Sequence, residues 1–298
     1  MPFYIVEKDI EEMKVDCIVN YIPFEFKQAV SAKAPFKITD VDITNGLGRN
    51  AKYVILARGP QYVDGKHDEK QLLRQTYRNI FKLSAHYDIE TIAVPLITSA
   101  DNNYPLAQAL ETAEQAIGDY LANNSKEVYL VINDKTLLKP DTELIEYLHN
   151  TQKSTYDISE YRHVNIKQAR ELFSGAEREV TATAYPSFQA VLNVLMKRAN
   201  LRAFYVYNQA NLYVDKFIQE IKKESYYPNK DIIIALALAL RLDITDLKSL
   251  LELYGFKLDI ASNKDMVVEY CFANNIYNII EINTMLFILG VDTLANNK

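Results

Sequence analysis

Cysteine is nearly absent from this chain: Cys17 and Cys271 are the only two, far apart and without histidine neighbours. That excludes a disulfide framework and a structural zinc site, both of which need paired or clustered ligands, and it fits a reducing cytosol. Glycine is scarce as well, with eight residues and none before Gly46. No Gly-x-Gly-x-x-Gly, Gly-Lys-Ser/Thr phosphate loop or Gly-x-Ser-x-Gly occurs. The usual signals of dinucleotide reduction, ATP hydrolysis and α/β-hydrolase acyl transfer are therefore missing. Long hydrophobic runs are lacking too. The longest, Ile232–Leu240, is about half a membrane span, and the N-terminus has neither the basic nor the apolar region of a signal peptide. The expectation is a cytoplasmic protein without a membrane segment.

Positive charge is in short supply, with 33 Lys+Arg against 39 Asp+Glu and a net charge of −6. A general polyanion binder carries a strongly basic face, so DNA is not the expected partner, although the balance leaves room for a local basic patch. The acidity belongs to the first half: residues 1–150 hold 22 acidic against 16 basic residues, whereas residues 151–298 hold 17 of each. His67, His86, His149 and His163 are scattered among polar neighbours and do not read as metal ligands or a triad base. No metal and no resident cofactor is expected.

What is present is enough apolar content, 49% over 298 residues, for a large core and about two domains. Short apolar, β-rich runs alternate with longer helical patterns in the first half, which is the mark of a sheet covered by helices. Candidate strands are Phe3–Val6, Cys17–Tyr21, Tyr53–Ala57, Thr91–Pro95 and Glu127–Ile132, and candidate helices are Glu69–His86 and Leu106–Asn123. From Asp141 the strand signal stops. Gln152–Ser187 is polar and mixed, a linker with helical segments, and from Ser187 helical periodicity dominates: Phe188–Ala199, Tyr205–Asn211, Val214–Lys222, Asn229–Leu240, Ile244–Leu253, Asn263–Asn274 and Ile279–Leu289. Asn229 and Asp243 are good N-cap types, Gly255 stands where a left-handed residue closes a helix, and Ile232–Leu242 is apolar all round, as a core helix should be. The organisation expected is an α/β domain over 1–145, a linker over 146–186 and an all-helical domain over 187–298.

Six blocks in the first half carry a further signal. Val6-Glu7-Lys8-Asp9-Ile10, Val15-Asp16-Cys17-Ile18-Val19-Asn20, Thr44-Asn45-Gly46 with Ala51–Ile55 and Gly59-Pro60, Leu72–Asn79, Ile92–Ser99, and Tyr104-Pro105 resemble, in order and spacing, the macro domain family. The resemblance covers residues 1–135 and implies a three-layer α/β/α fold with a mixed sheet and a site for ADP-ribose or a related nucleotide. It implies that Asp9 meets the adenine amino group, with Ile10 giving a backbone contact. It places Asn20 at the end of the first ligand strand, and Thr98, Ser99, Ala100, Asp101 and Tyr104 along the phosphate loop, with Ser99 and Tyr104 as phosphate and ribose contacts. Asp9 serves equally well as a turn cap, a role Asp fills widely.

The departures bear on chemistry. Where the family has a second Asn, a glycine-rich loop and a Val-Asp pair, this chain reads Asn20-Tyr21-Ile22-Pro23-Phe24-Glu25-Phe26, and backbone N–H groups cannot crowd a pyrophosphate there in the usual way. Ser99–Pro105 has lost both glycines of the second loop, and Asp101 adds a charge that repels phosphate. Asn133-Asp134 stands where members carry an aromatic that stacks on adenine. Tyr21, Phe24, Phe26 and Tyr62 read as loop aromatics packing on the domain. No catalytic residue is assigned.

The second half resembles a helical domain fused to bacterial macro domains, itself loosely like helix-turn-helix repressors. Its candidate recognition helix, Val214–Lys222, offers Lys216, Gln219 and Lys222 but is interrupted by Asp215 and Glu220, which favours a protein partner or self-association over DNA. The reading is a divergent macro domain with weakened or lost nucleotide binding and a helical interaction domain. Two alternatives stand beside it: an ADP-ribosyl hydrolase with a remodelled site using Asn20, Asp101 or Glu25, and a ligand-sensing DNA-binding regulator.

Overall fold

The computed structural model describes residues 2–22, 36–46, 50–97, 104–124, 126–153, 187–223 and 225–295. The chain divides into two compact units, residues 1–139 and 140–298, so the helix Thr142–Lys153 belongs to the second.

In the first unit six strands form one sheet: β1 (Phe3–Glu7), β2 (Cys17–Tyr21), β3 (Val41–Asn45), β4 (Tyr53–Ala57), β5 (Thr91–Pro95) and β6 (Glu127–Ile132). Their order is β1-β6-β5-β2-β4-β3. Neighbours run parallel, except that β3 pairs antiparallel with β4 at the edge. The central strands are apolar on successive residues because both faces are covered; Ile92, Ala93 and Val94 of β5 and Val128, Leu130 and Val131 of β6 are all buried. Val41–Asn45, which carried no strand expectation, is only half-buried, as an edge strand is.

Helices α1 (Glu69–Ser84) and α2 (Leu106–Leu121) are amphipathic. Leu73, Tyr77, Ile80, Phe81 and Ser84 recur at helical spacing and are buried. Alanines at 109, 113 and 116 keep the buried face of α2 small, and the two helices meet through stacked Phe81 and Tyr120 rings, 4.5 Å apart. The opposite sheet face carries Tyr4, Ile18, Val54, Ala93, Tyr129 and Val131, which cluster with Met13, Val15 and Ala51. Gly46 is required by space: a Cβ there would lie 1.8 Å from the Ala51 carbonyl oxygen.

The second unit is helical: α3 (Thr142–Lys153), α4 (Phe188–Ala199), α5 (Ala203–Gln209), α6 (Val214–Ile221), α7 (Lys230–Ala239), α8 (Ile244–Leu253), α9 (Asn263–Ala273) and α10 (Ile279–Ile288). The starts are capped as their residue types dictate. Ser187, Asn229, Asp243, Ser262 and Asn278 each accept a first-turn N–H. Gly255 has φ +72°, the left-handed geometry that closes α8. Every residue from Ile232 to Ala239 is buried, so α7 is the core helix, and Tyr147 of α3 packs on Tyr270 of α9 at 5.4 Å.

Candidate functional site

Strand order places the crevice. From β2 the chain passes to β3 and β4 on one side, whereas from β5 it crosses through α2 to β6 on the other. Adjacent parallel strands whose connections diverge leave an opening outside their carboxyl ends, the usual ligand position in open α/β sheets. The segments leaving β2 and β5 are the two ligand loops of the sequence reading. Their centres, residues 23–35 and 98–103, lie outside the described residues, and with them Phe24, Glu25, Phe26, Thr98, Ser99, Ala100 and Asp101.

The roots of both loops are described and tightly held. The Ile22 N–H donates to the Ala57 carbonyl at 2.8 Å, and the Tyr21 hydroxyl donates to the Gly59 carbonyl at 3.3 Å. A Cβ on Gly59 would come within 3.2 Å of the Tyr21 ring and 3.5 Å of Ile97, so the β2 end, the β4 loop and the β5 end meet closely. The Tyr77 hydroxyl donates to the Pro95 carbonyl at 3.0 Å and accepts the Ile97 N–H at 3.1 Å. Burial raises its pKa, against the Ile97 bond, so this phenol stays protonated and fixes the exit from β5.

At the far end of that loop Tyr104 is 4% exposed and lies edge-on to Tyr62, ring centroids 5.1 Å apart. Its hydroxyl is buried and has no hydrogen-bond partner among the described residues. Burial first, then Glu69 and Tyr62, push its pKa up to about 12, so it is a neutral donor at physiological pH.

Asp9 follows β1 at the same sheet edge. It is exposed, and its Oδ1 accepts the Glu11 N–H at 2.9 Å, capping the turn Ile10–Glu12. Ile10 is packed against the cluster beneath the sheet. Asn20 is half-buried on β2 opposite Leu56. Asp9, Asn20 and Tyr104 thus all stand at the carboxyl edge. The ends of β1 and β2 are three strand spacings apart, about 14 Å at roughly 4.8 Å each. Past β6, Asp134 caps a further turn through Thr136, whose N–H lies 2.9 Å from Oδ1.

Glu69 was missed in the sequence, although the Asp64-Gly65 turn just before α1 was a signal. Its Oε1 accepts the N–H groups of Val63, Asp64 and Gly65 at 3.1–3.2 Å, and Oε2 accepts that of His67 at 2.7 Å. Burial alone would raise its pKa, but the backbone N–H groups outweigh it and hold the carboxyl at about 2. Asp64, His67 and Glu69 offer ligand atoms within 4.8 Å of one another. The amide dipoles already converging on Glu69 oppose a cation there.

Fold and site define an open-sheet α/β unit whose direction of strand connection reverses between β2 and β5, followed by a helical unit. Residues 15–113 match the family model described as Macro domain. A macro domain-containing protein of Caldanaerobacter subterraneus subsp. tengcongensis is 38% identical over 91 residues, which is 30% of this chain and 52% of that protein. O-acetyl-ADP-ribose deacetylase 1 of Pantoea vagans is 35% identical over 88 residues, again 30% of this chain and 52% of that one. The chain spans about half the length of these curated relatives. Among solved structures, a macrodomain of Oceanobacillus iheyensis aligns with 20% identity and a TM-score of 0.40 over 44% of this chain and 84% of that one. Residues 15–113 of the first unit are thus similar to the Macro domain family.

Proposed function

We propose that the first unit binds ADP-ribose or a related nucleotide along the carboxyl edge of its sheet, more weakly than an intact macro site would, and that it is not an active hydrolase. Asp9 and Ile10 take the base end, Asn20 lies mid-cleft, and Thr98, Ser99, Ala100, Asp101 and Tyr104 receive the phosphates and distal ribose. The carrying observation is the buried Tyr104 hydroxyl at the end of the second ligand loop, which has no partner among the described residues. An orphaned buried donor costs about 1–3 kcal/mol, and a ligand oxygen would relieve that cost. The distance of about 14 Å between the β1 and β2 ends suits an extended nucleoside diphosphate sugar. The name of the Pantoea relative points to ADP-ribose chemistry, and residues 15–113 match the family model.

Weakening follows from the residues themselves. No glycine precedes Gly46, and Asp101 brings negative charge to the phosphate loop. The helical unit supplies an interaction surface. Calorimetric titration of ADP-ribose into the full chain tests this. Binding weaker than micromolar, lost in Asp9→Ala and reduced in Tyr104→Phe, is expected, and silence at millimolar ligand contradicts it.

A further inference from the structure

The helical unit bears a surface corner of its own. Between α4 and α5 the chain turns sharply: Asn200 is left-handed (φ 53°), and the Asn200 and Leu201 N–H groups bond back to the Lys197 and Met196 carbonyls at 3.2 and 3.0 Å. Within the nine residues Lys197–Tyr205, three cations are exposed, Lys197, Arg198 and Arg202. Among the described residues none of the three forms an ion pair within 4 Å. Beside them Phe204 and Tyr205 are 48% and 45% exposed, whereas the next three residues, Val206, Tyr207 and Asn208, are buried.

Arg198 interacts with one carboxylate at the start of α8, Asp246. The Asp246 carboxyl is raised by burial and by Asp243, while Arg198 acts the other way. The stretch Lys197–Tyr205 itself holds three cations and no carboxylate, in a chain whose net charge is −6, so it is locally basic on an acidic molecule.

Adjacent half-exposed aromatics flanked by unpaired cations suit a ligand that has both negative charge and accessible flat faces. A single-stranded nucleic acid has both: its phosphates meet Lys and Arg while unstacked bases lie on aromatic rings. A duplex hides its base faces and offers these rings nothing to stack on. A bilayer surface asks for a longer apolar stripe than two side chains give. We propose that the Lys197–Tyr205 corner binds pyrimidine-rich single-stranded nucleic acid, with Phe204 and Tyr205 stacking successive bases and Lys197, Arg198 and Arg202 contacting phosphates. Pyrimidine runs are favoured because their bases unstack readily. This goes beyond nucleotide binding in the first unit and stands independently of it.

The test is fluorescence anisotropy of a labelled twelve-nucleotide oligothymidylate titrated with the full chain at about 50 mM salt. Affinity should fall with salt along a log–log slope of about 2, as roughly 0.7 per phosphate predicts for three contacts on a single strand. Phe204→Ala with Tyr205→Ala should weaken binding at least tenfold, since stacking contributes about 1–3 kcal/mol per base, and Phe204→Trp should retain it. Lys197→Ala with Arg202→Ala should bring the slope below about 1. Lys216→Ala and Lys222→Ala, in the helix-turn-helix-like segment, should leave affinity unchanged, and a duplex should bind at least tenfold more weakly.

Absence of binding at low salt overturns the proposal. So does binding indifferent to Phe204 and Tyr205, equal affinity for duplex, or corner variants that abolish binding only to phosphatidylglycerol vesicles or an acidic peptide. If the double aromatic variant loses its helical circular dichroism, Arg202→Glu decides instead, because Arg202 is exposed and its side chain makes no helix cap; unchanged affinity there is equally fatal.

Discussion

The two units are held together by different physics. In the first, polar ties pin particular loops to the sheet: Asp16 Oδ2 accepts the Glu90 and Thr91 N–H groups, each at 2.9 Å, and the Thr91 hydroxyl at 3.0 Å. Glu69 and Tyr77 do the same for the segments entering α1 and leaving β5. In the second, α7, buried at every residue from Ile232 to Ala239, forms the centre, and several of the short helices are started by side-chain caps. Ties that fix loops allow the residues between them to change while the sheet stays intact. The first unit fits this pattern: the ends of β2 and β5 are held, while the segments that follow them carry no glycine.

The contrast sharpens if each unit is damaged at its own kind of support. Leu236→Ala removes a fully buried side chain from α7 and should cost about 2–5 kcal/mol, read by helical circular dichroism in urea, while ADP-ribose affinity stays unchanged. Equal loss of both would break the distinction. Asp16→Ala should cost about 1–3 kcal/mol by stranding the Glu90 and Thr91 donors.

The pH dependence of that second effect has a definite sign. Burial pushes the Asp16 pKa up, but the bonds from Thr91 and Glu90 and the charge of Lys52 outweigh it and hold it below 3.8. A depressed folded pKa means the contribution is present above the unfolded value and lost as pH falls through the folded one. The wild-type advantage over Asp16→Ala should therefore be flat at neutral pH and vanish in acid. The smallest effect belongs to a cap: Asp243→Ala removes the acceptor of the Asp246 N–H, 2.8 Å away, and should lower stability by about 1 kcal/mol.

Much of this architecture was legible in the residues. After Thr91 and Glu127, the runs Ile92–Pro95 and Val128–Ile132 are hydrophobic on successive residues, as strands covered on both faces are. Asn229 and Asp243 announced their helices because Asn and Asp accept first-turn N–H bonds. The strand Val41–Asn45 escaped because an edge strand buries little, although its Val41, Ile43 alternation was a period-2 signal. Site legibility stopped sooner. The Asp9 carboxylate could cap a turn or receive a base, and it does cap the turn. The partners of Tyr77 and Glu69 are backbone groups, the first across the fold and the second in a folded loop, which no side-chain pattern displays. The orphaned Tyr104 hydroxyl is a property of packing alone.

The central proposal, that the first unit binds ADP-ribose without catalysing, is tested most directly by a single-turnover assay of ADP-ribose release from a modified protein, at chain concentrations that saturate ADP-ribose in the titration. The account predicts binding with no release above the uncatalysed rate. Release that is lost in Asp9→Ala or Asn20→Ala would contradict it and make the remodelled loops a working active site.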